Sequence, residues 1–343
     1  MHKQFGSRPS SADLSKYRLS SHWNGKCFVN AVDTKIDVNF FTLPKVLYKQ
    51  FCQKENREPV AKLPISSFDK IEFEKLDSRV KSIWYGHSAV LLRVNNTVMF
   101  IDPMLGPDAA PISPFSINRF SDDTLSVIDD LPEIDLVLIS HDHYDHLDYA
   151  SISKLSNKTK HFFVALGVAR HLRRWGIDAN KITEFDWWDK KAFNEIEITF
   201  TPTRHFSGRG LIDNAKGLWG GWAFKTGHEA IWSSGDGGYG MHFKEIGERL
   251  GPFDLAFIEC GQYNEHWHQI HMYPEESIQA AIDVNARKVI PVHWGAFSLA
   301  QHSWTEPVER FIIEAENKGM DYCLPALGEV FDAHTKSQFP WWQ

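Results

Sequence analysis

The sequence predicts an α/β fold, and three observations support this expectation. Short apolar runs rich in β-branched residues, which are typical of buried strands, alternate with helical patterns between Ser82 and Lys318. The chain of 343 residues, with 43% hydrophobic and 24% charged residues, is long enough to bury a large core. Candidate site residues span positions 141 to 293, so a single site gathers most of the chain into one catalytic domain.

The individual elements follow from periodicity along the chain, since short apolar runs predict strands and apolar residues at helical spacing predict helices. The predicted strands are Ser82–Tyr85, Ala89–Val94, Val98–Ile101, Leu136–Ile139, Phe162–Val164, Ile196–Phe200, Gly220–Lys225, Ala230–Ser233, Leu255–Ile258 and Lys288–Val292. The predicted helices are Tyr149–Leu155, Val168–Trp175, Phe243–Arg249, Pro274–Val284 and Pro307–Lys318. Pro274 suits the first turn of its helix, and Gly251 and Gly319 are natural stops after two others.

Residues 1–78 are predicted to form an N-terminal extension that wraps the core, and residues 79–343 to form the catalytic domain. Serine-rich and polar stretches near 7–21 and 53–59 distinguish the extension by composition. The stretch Phe40–Tyr48 is the candidate for an amphipathic segment that contacts a membrane surface.

Charge and cysteine content restrict the classes of partner and compartment. The net charge of −7 and the lack of a basic cluster argue against nucleic acid as the main substrate. Neither an apolar signal sequence nor a run of transmembrane length is found, so a cytoplasmic location is expected. The cysteines form no CxxC pair, which suits a reducing compartment and a structural role; they are Cys27, Cys52, Cys260 and Cys323.

The segment Ser140–Asp148 carries the most informative motif, with the spacing HxHxDH. It places His141, His143, Asp145 and His146 directly after a buried strand-like run. Imidazole and carboxylate groups suit divalent ions such as zinc, and the absence of a thiolate argues against a closed structural site. Residues two apart on an extended backbone point to the same side, so the first two histidines can share one ion while Asp145 and His146 face a second. Two ions roughly 3.5–4 Å apart can activate one water for hydrolysis.

Four ligands cannot complete two coordination spheres, so further ligands are expected downstream. His205, Asp236 and His293 each follow a strand-like run, and Asp236 lies in a Gly-Asp-Gly-Gly turn where the backbone can approach a site closely. His205 can complete the first set, His293 can complete the second, and Asp236 can bridge the two. Each residue taken alone also fits a structural role, as a hydrogen-bonded histidine at a strand end or as an Asx-turn residue.

The chain resembles metallo-β-lactamase-fold hydrolases, and within them the branch that contains N-acyl phosphatidylethanolamine phospholipase D and its bacterial relatives. The HxHxDH motif carries the resemblance to the superfamily, whereas tryptophan-rich blocks and the HWG segment carry the resemblance to the branch. The similar segments are Trp84–Ser88, Asp102–Pro103, Ser140–Asp148, Phe185–Trp188, Leu218–Trp222, Gly235–Asp236, Phe243–Gly247, Gly251–Asp254, His271–Glu276 and His293–Gly295.

The resemblance implies a four-layer αβ/βα sandwich with a dinuclear metal site at one edge of its two sheets. It also implies two sets of zinc ligands. One set is His141, His143, His205 and Asp236, and the other is Asp145, His146, Asp236 and His293. In the resembled branch a hydroxide that bridges the two ions attacks the phosphorus of a phosphodiester. Iron and manganese stay open as alternatives to zinc, because both bind nitrogen and oxygen ligands.

Five residues outside the seven predicted ligands are candidates for supporting roles. The histidine of the resembled branch that matches His271 lies beside the metals, so His271 is expected to orient the phosphate or protonate a leaving oxygen. A surface histidine is the alternative for this position. His87 and Asp102 are expected to support the ligands, since such partners set ligand orientation and basicity. Tyr263 and Trp267 are the predicted substrate contacts, together with His271.

Three functions fit the sequence. The leading hypothesis is a zinc-dependent phosphodiesterase of the phospholipase D type that cleaves an N-acyl phosphatidylethanolamine-like lipid or a smaller phosphodiester. The alternative is a lactonase or esterase with the same dinuclear site, and both hydrolase hypotheses assign catalytic roles to Asp145, Asp236 and His271. A non-catalytic, metal-stabilised binding protein is disfavoured, because a structural site needs no adjacent ions with open positions. Peripheral membrane contact and oligomer formation stay open.

Overall fold

Two mixed β-sheets of seven strands each lie between flanking helices in the computed structural model, which is the predicted four-layer αβ/βα sandwich. The structure describes residues 3–37, 42–52, 55–75, 79–110, 116–210, 213–336 and 340–343. No helix in these ranges is both long enough and apolar enough to cross a lipid bilayer.

The strands are short, and the apolar runs of the sequence form their buried parts. The first six are β1 Lys81–Trp84, β2 Val90–Val94, β3 Thr97–Ile101, β4 Ile134–Ile139, β5 Thr159–Ala165 and β6 Ile182–Phe185. The other eight are β7 Lys190–Phe193, β8 Ile196–Thr201, β9 Gly221–Lys225, β10 Ala230–Ser233, β11 Leu255–Glu259, β12 Lys288–Val292, β13 Asp321–Tyr322 and β14 Val330–Phe331. Parallel strands inside a covered sheet need apolar side chains on both faces, and β11 and β12 are accordingly buried along their whole length.

Nine α-helices lie within the described residues, and local signals set the ends of several of them. They are α1 Ser11–Tyr17, α2 Leu43–Cys52, α3 Lys70–Phe73, α4 Val127–Asp130, α5 Tyr149–Leu155, α6 Ala169–Arg174, α7 His242–Leu250, α8 Pro274–Asp283 and α9 Glu306–Lys318. Asp148 caps α5 by accepting a hydrogen bond from the backbone N–H of Ser151. Gly319 ends α9 in the left-handed conformation, with φ of 65°.

The strand order brings several strand ends to one edge of the sandwich. The first sheet has the order β14-β1-β2-β3-β4-β5-β6, and the second has the order β13-β12-β11-β10-β9-β8-β7. Strands β10, β11 and β12 are parallel, and β8 runs in the same direction because β8 and β10 are both antiparallel to β9. The loops after β8, β10, β11 and β12 therefore leave the second sheet at one edge, where the loop after β4 meets them.

The ten predicted strands and five predicted helices all form, but several further elements lie outside the prediction. Strand β7 is an edge strand whose Lys190 and Lys191 are exposed, so it lacks the apolar pattern that identifies a buried strand. Strands β13 and β14 have two residues each, which is too short to show a pattern. The stretch Phe40–Tyr48 overlaps α2, although Phe40 and Phe41 lie outside the described residues.

Aromatic packing and a backbone bridge join the two sheets behind the converging loops. The ring centroids of Trp84 and Trp294 lie 5.3 Å apart, and Trp341 stacks on Trp294 at 5.3 Å. The backbone N–H of His293 donates to the carbonyl of His87, and the N–H of His87 donates to the carbonyl of Trp294, each at 2.8 Å. The ends of β1 and β12 are therefore tied together across the sandwich.

A buried ion pair holds the loop that follows β4. Asp142 Oδ2 lies 2.9 Å from Arg170 Nη2 and 3.0 Å from His171 Nε2, and Asp142 Oδ1 accepts a hydrogen bond from Gly208 N at 2.7 Å. Burial alone would raise the pKa of Asp142, but His171 and Arg170 outweigh burial and hold this pKa far below its usual value. The carboxylate stays ionised and connects the loop to α6 and to the segment after β8.

Replacing Asp142 by alanine is expected to lower the free energy of unfolding by about 3–5 kcal/mol, because the Arg170 guanidinium then stays buried without its carboxylate. Denaturant-induced unfolding followed by circular dichroism measures this change. Asp129→Ala is the matched control, since Asp129 pairs with Lys154 on the surface and its loss is expected to cost less than about 1 kcal/mol. Equal losses in the two variants would contradict the anchoring role of Asp142.

Candidate metal centre

The seven predicted ligands lie together where β4, β8, β10 and β12 end, although they are spread over 153 positions of the chain, from 141 to 293. Strands β4, β8, β10 and β12 end at this edge, and the loop after each strand carries at least one of the seven side chains. The turn before Asp236 accepts only glycine, because Gly235 has φ of 60° and a Cβ there would lie 2.3 Å from the carbonyl oxygen of Gly220. The close approach of this turn to the sheet brings Asp236 into the centre.

The first of two adjoining clusters contains three imidazoles. His143 Nδ1 lies 2.9 Å from His141 Nε2 and 3.2 Å from His205 Nε2. The two Nε2 atoms each lie 3.8 Å from Asp236 Oδ2. Three nitrogen atoms and one carboxylate oxygen at these separations are a suitable ligand set for a divalent ion such as zinc.

The second cluster faces the same carboxylate oxygen from the other side. Asp236 Oδ2 lies 3.0 Å from His146 Nε2 and 3.1 Å from His293 Nε2. Asp145 Oδ2 lies 3.7 Å from His146 Nε2 and 3.5 Å from His293 Nε2. Asp236 Oδ2 therefore lies within 3.8 Å of nitrogen atoms of both clusters, and its role as a bridging ligand stays a prediction.

Buried polar atoms without hydrogen bonds show that this centre fits bound cations. Among the described residues, His146 Nε2, His293 Nε2 and Asp236 Oδ1 are buried and make no hydrogen bond. The two nitrogen atoms are near Asp236 Oδ2 but lack the alignment of a hydrogen bond. Buried polar groups normally have a partner, and these nitrogen and oxygen atoms are ligands that divalent metals accept.

Burial and neighbouring charges favour different protonation states within the centre. Burial lowers the pKa of His141 and of His205 well below its usual value, so both imidazoles are neutral and offer a lone pair. Burial also opposes a charge on His293, but Asp236 and Asp145 outweigh it and raise the pKa of His293 to about 10. Because a ligating imidazole must be neutral, an ion that binds His293 displaces its proton.

Asp102 supports one histidine in each cluster. Asp102 Oδ2 accepts a hydrogen bond from Ser140 Oγ at 2.5 Å and lies 2.8 Å from His146 Nδ1. Ser140 Oγ lies 2.9 Å from His141 Nδ1. One carboxylate thus orients His146 directly and His141 through Ser140, which is the supporting geometry expected for Asp102.

Backbone carbonyl groups support two further ligands. His205 Nδ1 lies 3.0 Å from the carbonyl oxygen of Ile270, and His293 Nδ1 lies 3.3 Å from the carbonyl oxygen of Gly261. A carbonyl oxygen accepts only an N–H, so each contact favours the tautomer whose Nε2 carries the lone pair. Both Nε2 atoms are the ones that face Asp236.

His87 supports Asp145 from a backbone position that side chains rarely adopt, with φ of 53°. Its Nε2 lies 2.8 Å from Asp145 Oδ2. Burial, helped by His293, lowers the pKa of His87 to about 3, so the ring is neutral and Nε2–H donates to Asp145. Trp84 Nε1 donates to the carbonyl oxygen of His87 at 2.8 Å and holds this backbone in place.

His271 lies beside the second cluster, and a buried carboxyl group orients it. Its ring stacks on His293, with centroids 5.1 Å apart and planes at 11°. His271 Nδ1 lies 3.1 Å from Glu259 Oε2, and Glu259 Oε1 accepts a hydrogen bond from Met272 N at 2.8 Å. With Nδ1 turned inward, Nε2 is the ring nitrogen left to face the cavity.

Glu259 is absent from the sequence prediction, although the structure places it beside both His271 and His293. Burial raises the pKa of Glu259, and His271 opposes that shift. Glu259 ends β11 directly after an apolar run, as the predicted ligands end their runs. That position at the end of a strand is the signal that could have identified it.

A cavity of about 340 Å³ opens onto the centre. Its apolar wall consists of Ile36, Ala109, Phe206, Trp267, Ile270 and Leu299. Its polar lining includes His143, Asp145, Asp236, His271 and His293, and no lysine or arginine is among the described residues that line it. Within the described residues, lysine and arginine side chains therefore supply no positive charge to an anionic group in this cavity.

The two predicted aromatic substrate contacts lie in different surroundings. Trp267 is part of the cavity wall, and its Nε1 donates to the carbonyl oxygen of Gln262 at 2.8 Å. Tyr263 does not line the cavity; its side chain is buried, and its hydroxyl donates to Glu306 Oε1 at 2.7 Å. The structure thus brings Trp267 to the site and leaves Tyr263 behind the wall, because α9 already binds the Tyr263 hydroxyl.

Comparison of the sequence with known proteins identifies a family and several relatives. Residues 98–294 match the family described as the beta-lactamase superfamily domain. An uncharacterized protein of Mycobacterium bovis is 35% identical over 315 residues, 89% of this chain and 84% of that protein. N-acyl-phosphatidylethanolamine-hydrolyzing phospholipase D 1 of Caenorhabditis elegans is 31% identical over 79% of this chain and 80% of the worm protein. The mitochondrial enzyme of the same description from Saccharomyces cerevisiae is 34% identical over 74% of this chain and 56% of the yeast protein.

Solved structures support the same fold. An isothiocyanate hydrolase from Delia radicum gut bacteria aligns with a TM-score of 0.58 and 19% identity, covering 75% of this chain and 100% of that one. The metallo hydrolase Igni18 of Ignicoccus hospitalis aligns with a TM-score of 0.56 and 20% identity, over 74% and 97% of the two chains. The predicted resemblance is confirmed: the chain belongs to the β-lactamase superfamily and is a metal-dependent hydrolase with the metallo-β-lactamase fold.

Proposed function

We propose that this hydrolase is a zinc-dependent phosphodiesterase of the phospholipase D type. Its proposed substrate is an N-acyl phosphatidylethanolamine-like lipid or a smaller phosphodiester. The observation that carries the proposal is the pair of clusters around Asp236 at the end of a cavity with an apolar wall. The worm and yeast relatives, whose names state this lipid activity, support the choice of bond.

The proposed metal ligands are the seven predicted residues, divided between the two clusters that share Asp236. They are His141, His143, Asp145, His146, His205, Asp236 and His293. When bound, two divalent ions supply a water of lowered pKa and stabilise negative charge on the attacking and leaving oxygens. Zinc suits this donor set, and iron and manganese are the alternatives.

In phosphodiester hydrolysis the protein side chains must donate a proton to the departing oxygen and must hold the ions and the water in place. A water oxygen forms a new bond to phosphorus, one phosphorus–oxygen bond breaks, and the departing oxygen needs a proton. His271 is the proposed donor of that proton, because it lines the cavity while Glu259 holds Nδ1 and leaves Nε2 facing the cavity. Asp145 and Asp236 are the proposed catalytic carboxylates, which keep the ions and the water in place.

The cavity wall supports a substrate with an apolar part. Six apolar side chains border the space beside the two clusters, and Trp267 and Ile270 come from the loop that precedes His271. Apolar surface that leaves water on binding stabilises a complex, so acyl chains next to the scissile phosphate suit this wall. Trp267 is the proposed substrate contact, together with His271.

The first test is hydrolysis of an N-acyl phosphatidylethanolamine by the zinc-loaded protein, with products identified by mass spectrometry and metal content measured in the same sample. We expect about two ions per chain and release of phosphatidate and N-acylethanolamine. Asp236→Ala is expected to lower the rate at least about 100-fold, since even partners that only orient ligands contribute 10- to 100-fold. An inactive protein with two bound ions would reject the lipid, and turnover of a lactone instead would favour the esterase alternative.

His271→Asn is expected to lower kcat on the lipid by about 100- to 10,000-fold, the usual range for loss of a general acid. The loss should shrink below about 10-fold on bis(4-nitrophenyl) phosphate, because nitrophenolate leaves without a proton. Steady-state kinetics on the two substrates measure both effects. His268→Asn is the matched control, since His268 is exposed in the same loop. Equal losses on both substrates would contradict proton donation by His271.

Trp267→Ala is expected to raise KM for the lipid by about 10- to 100-fold, because a buried aromatic contact contributes about 1.5–3 kcal/mol. KM for bis(4-nitrophenyl) phosphate should change much less, as this substrate has no acyl chain. Tyr263→Phe is the comparison variant, since the Tyr263 hydroxyl contacts Glu306 and does not face the cavity. An unchanged lipid KM in Trp267→Ala would remove Trp267 from the substrate contacts.

A further inference from the structure

His205 lies outside the sheets, and one side chain binds both its backbone N–H and its backbone carbonyl. Residues 202–210 follow β8 and belong to no helix or strand. Asn30 Nδ2 donates to the carbonyl oxygen of His205 at 2.8 Å, and His205 N donates to Asn30 Oδ1 at 3.1 Å. The two bonds close a ring between a side-chain amide and a peptide backbone, as a neighbouring strand would do.

The side-chain amide of Asn30 has the donor and the acceptor that these two hydrogen bonds require. Asparagine carries one acceptor and two N–H donors, so it can bind the N–H and the carbonyl of one residue together. Asn30 Oδ1 also accepts a hydrogen bond from Trp219 Nε1 at 3.0 Å. Trp219 is buried in the core, so this third bond ties the orientation of the amide to the rigid interior.

The segment that carries Asn30 is itself anchored in the core. Phe28 is buried and packs against Tyr17 and Trp23, with ring centroids 5.3 Å and 5.0 Å away. Its backbone N–H donates to the carbonyl oxygen of Ala215 at 2.9 Å. The position of Asn30 is thus set independently of His205.

We propose that Asn30 is a positioning residue for His205 and that the N-terminal extension is thereby part of the metal centre. The inference rests on the proposed role of His205 as a metal ligand, and it does not depend on the substrate. Asn30 holds the backbone of His205, while the carbonyl oxygen of Ile270 holds Nδ1 of its ring. Together these contacts aim Nε2 at His143 and Asp236.

Among the described contacts of the predicted ligands, Asn30 hydrogen-bonds only to His205, so its main effect is expected on the first cluster. Among the predicted ligands of the first cluster, only His205 belongs to the segment after β8, since His141 and His143 come from the loop after β4 and Asp236 comes from the turn after β10. The second cluster is supported by the carbonyl oxygen of Gly261 and by Asp102, which Ser140 also connects to His141 of the first cluster. Loss of the Asn30 amide therefore loosens the first ion and leaves the ligands of the second in place.

The extension continues from Asn30 along the edge of the cavity. Arg204, the residue before His205, donates to Thr34 Oγ1 at 3.0 Å. Asp37 N donates to the carbonyl oxygen of His266 at 2.7 Å, and Ile36 lines the cavity. The same segment that holds a ligand thus contributes to the apolar wall, which agrees with the proposal that residues 1–78 wrap the domain formed by 79–343.

The test compares Asn30→Asp and Asn30→Ala with the parent chain as full-length proteins. Aspartate keeps the acceptor for His205 N and loses the donor to its carbonyl, and alanine loses both. We expect both variants to bind the first ion about 10- to 100-fold more weakly, the range for groups that orient a ligand. Competition with a chelator, metal analysis and the absorption spectrum of the cobalt(II)-loaded protein measure ion number and ligand geometry without any substrate.

Two control variants make the result decisive. His205→Ala should weaken binding of the same ion at least as much as the Asn30 variants do, because it removes the predicted ligand itself. Asn24→Asp should behave as the parent, because Asn24 is exposed in the same segment and its side chain bonds only locally, accepting from Lys26 N and Cys27 N through Oδ1 and donating to Cys27 Sγ through Nδ2. Circular dichroism and the melting temperature establish that each variant is folded.

The outcomes separate this inference from the proposed function. A parent chain with two ions and Asn30 variants that hold both with unchanged affinity would overturn the role of Asn30 alone. Variants that lose both ions together with their folded structure would assign Asn30 to general stability and overturn the role as well. A parent chain that binds fewer than two ions would overturn the dinuclear centre itself. Loss of one ion from folded Asn30 variants supports the inference, whatever the substrate is.

Discussion

The approach of four imidazole nitrogens to one carboxylate oxygen is the constraint on which the rest of the structure depends. Atoms from His141, His146, His205 and His293 all lie within 3.8 Å of Asp236 Oδ2. Taking these groups out of water is unfavourable unless each finds a partner, so their positions tolerate little freedom. Loops from both sheets must meet at one edge, which explains why the strands are short and end together.

Most of the predicted ligands are oriented by a neighbouring polar group that contacts them directly. Asp102 and two backbone carbonyls occupy the second ring nitrogens of His146, His205 and His293, and His87 holds Asp145. Glu259 holds His271 beside them in the same way. Because these partners are buried and well connected, the ligand rings need little reorganisation when charge appears between them. The apolar wall lies beside this polar centre, and it favours apolar groups, which the polar centre does not bind.

The sequence predicts the parts of the centre whose chemistry is local. The HxHxDH motif concentrates four of the predicted ligands, and the other three each follow a recognisable apolar run. Asn30 lies outside the prediction because its partner is 175 positions away and nothing nearby distinguishes a buried amide from an exposed one. For Glu259, whose partner His271 is 12 positions away, the end of an apolar run is the one local signal. Tyr263 follows a strand as expected, but its hydroxyl donates to Glu306 in a distant helix, and its contact with substrate stays a prediction. Edge strand β7 lies outside the prediction because its exposed lysines interrupt the apolar pattern that identifies a buried strand.

The distances along the chain between these partners also decide when the centre can form. Arg209 binds the carbonyl oxygen of Gln4 across 205 positions, and His205 pairs with Asn30 across 175. Closing loops of this length costs entropy before any contact is gained, and such contacts slow folding. During synthesis the motif at 141–146 emerges long before His293 exists. An ion that arrives early therefore meets an open, incomplete ligand set, and the full affinity for metal develops only as the finished chain folds.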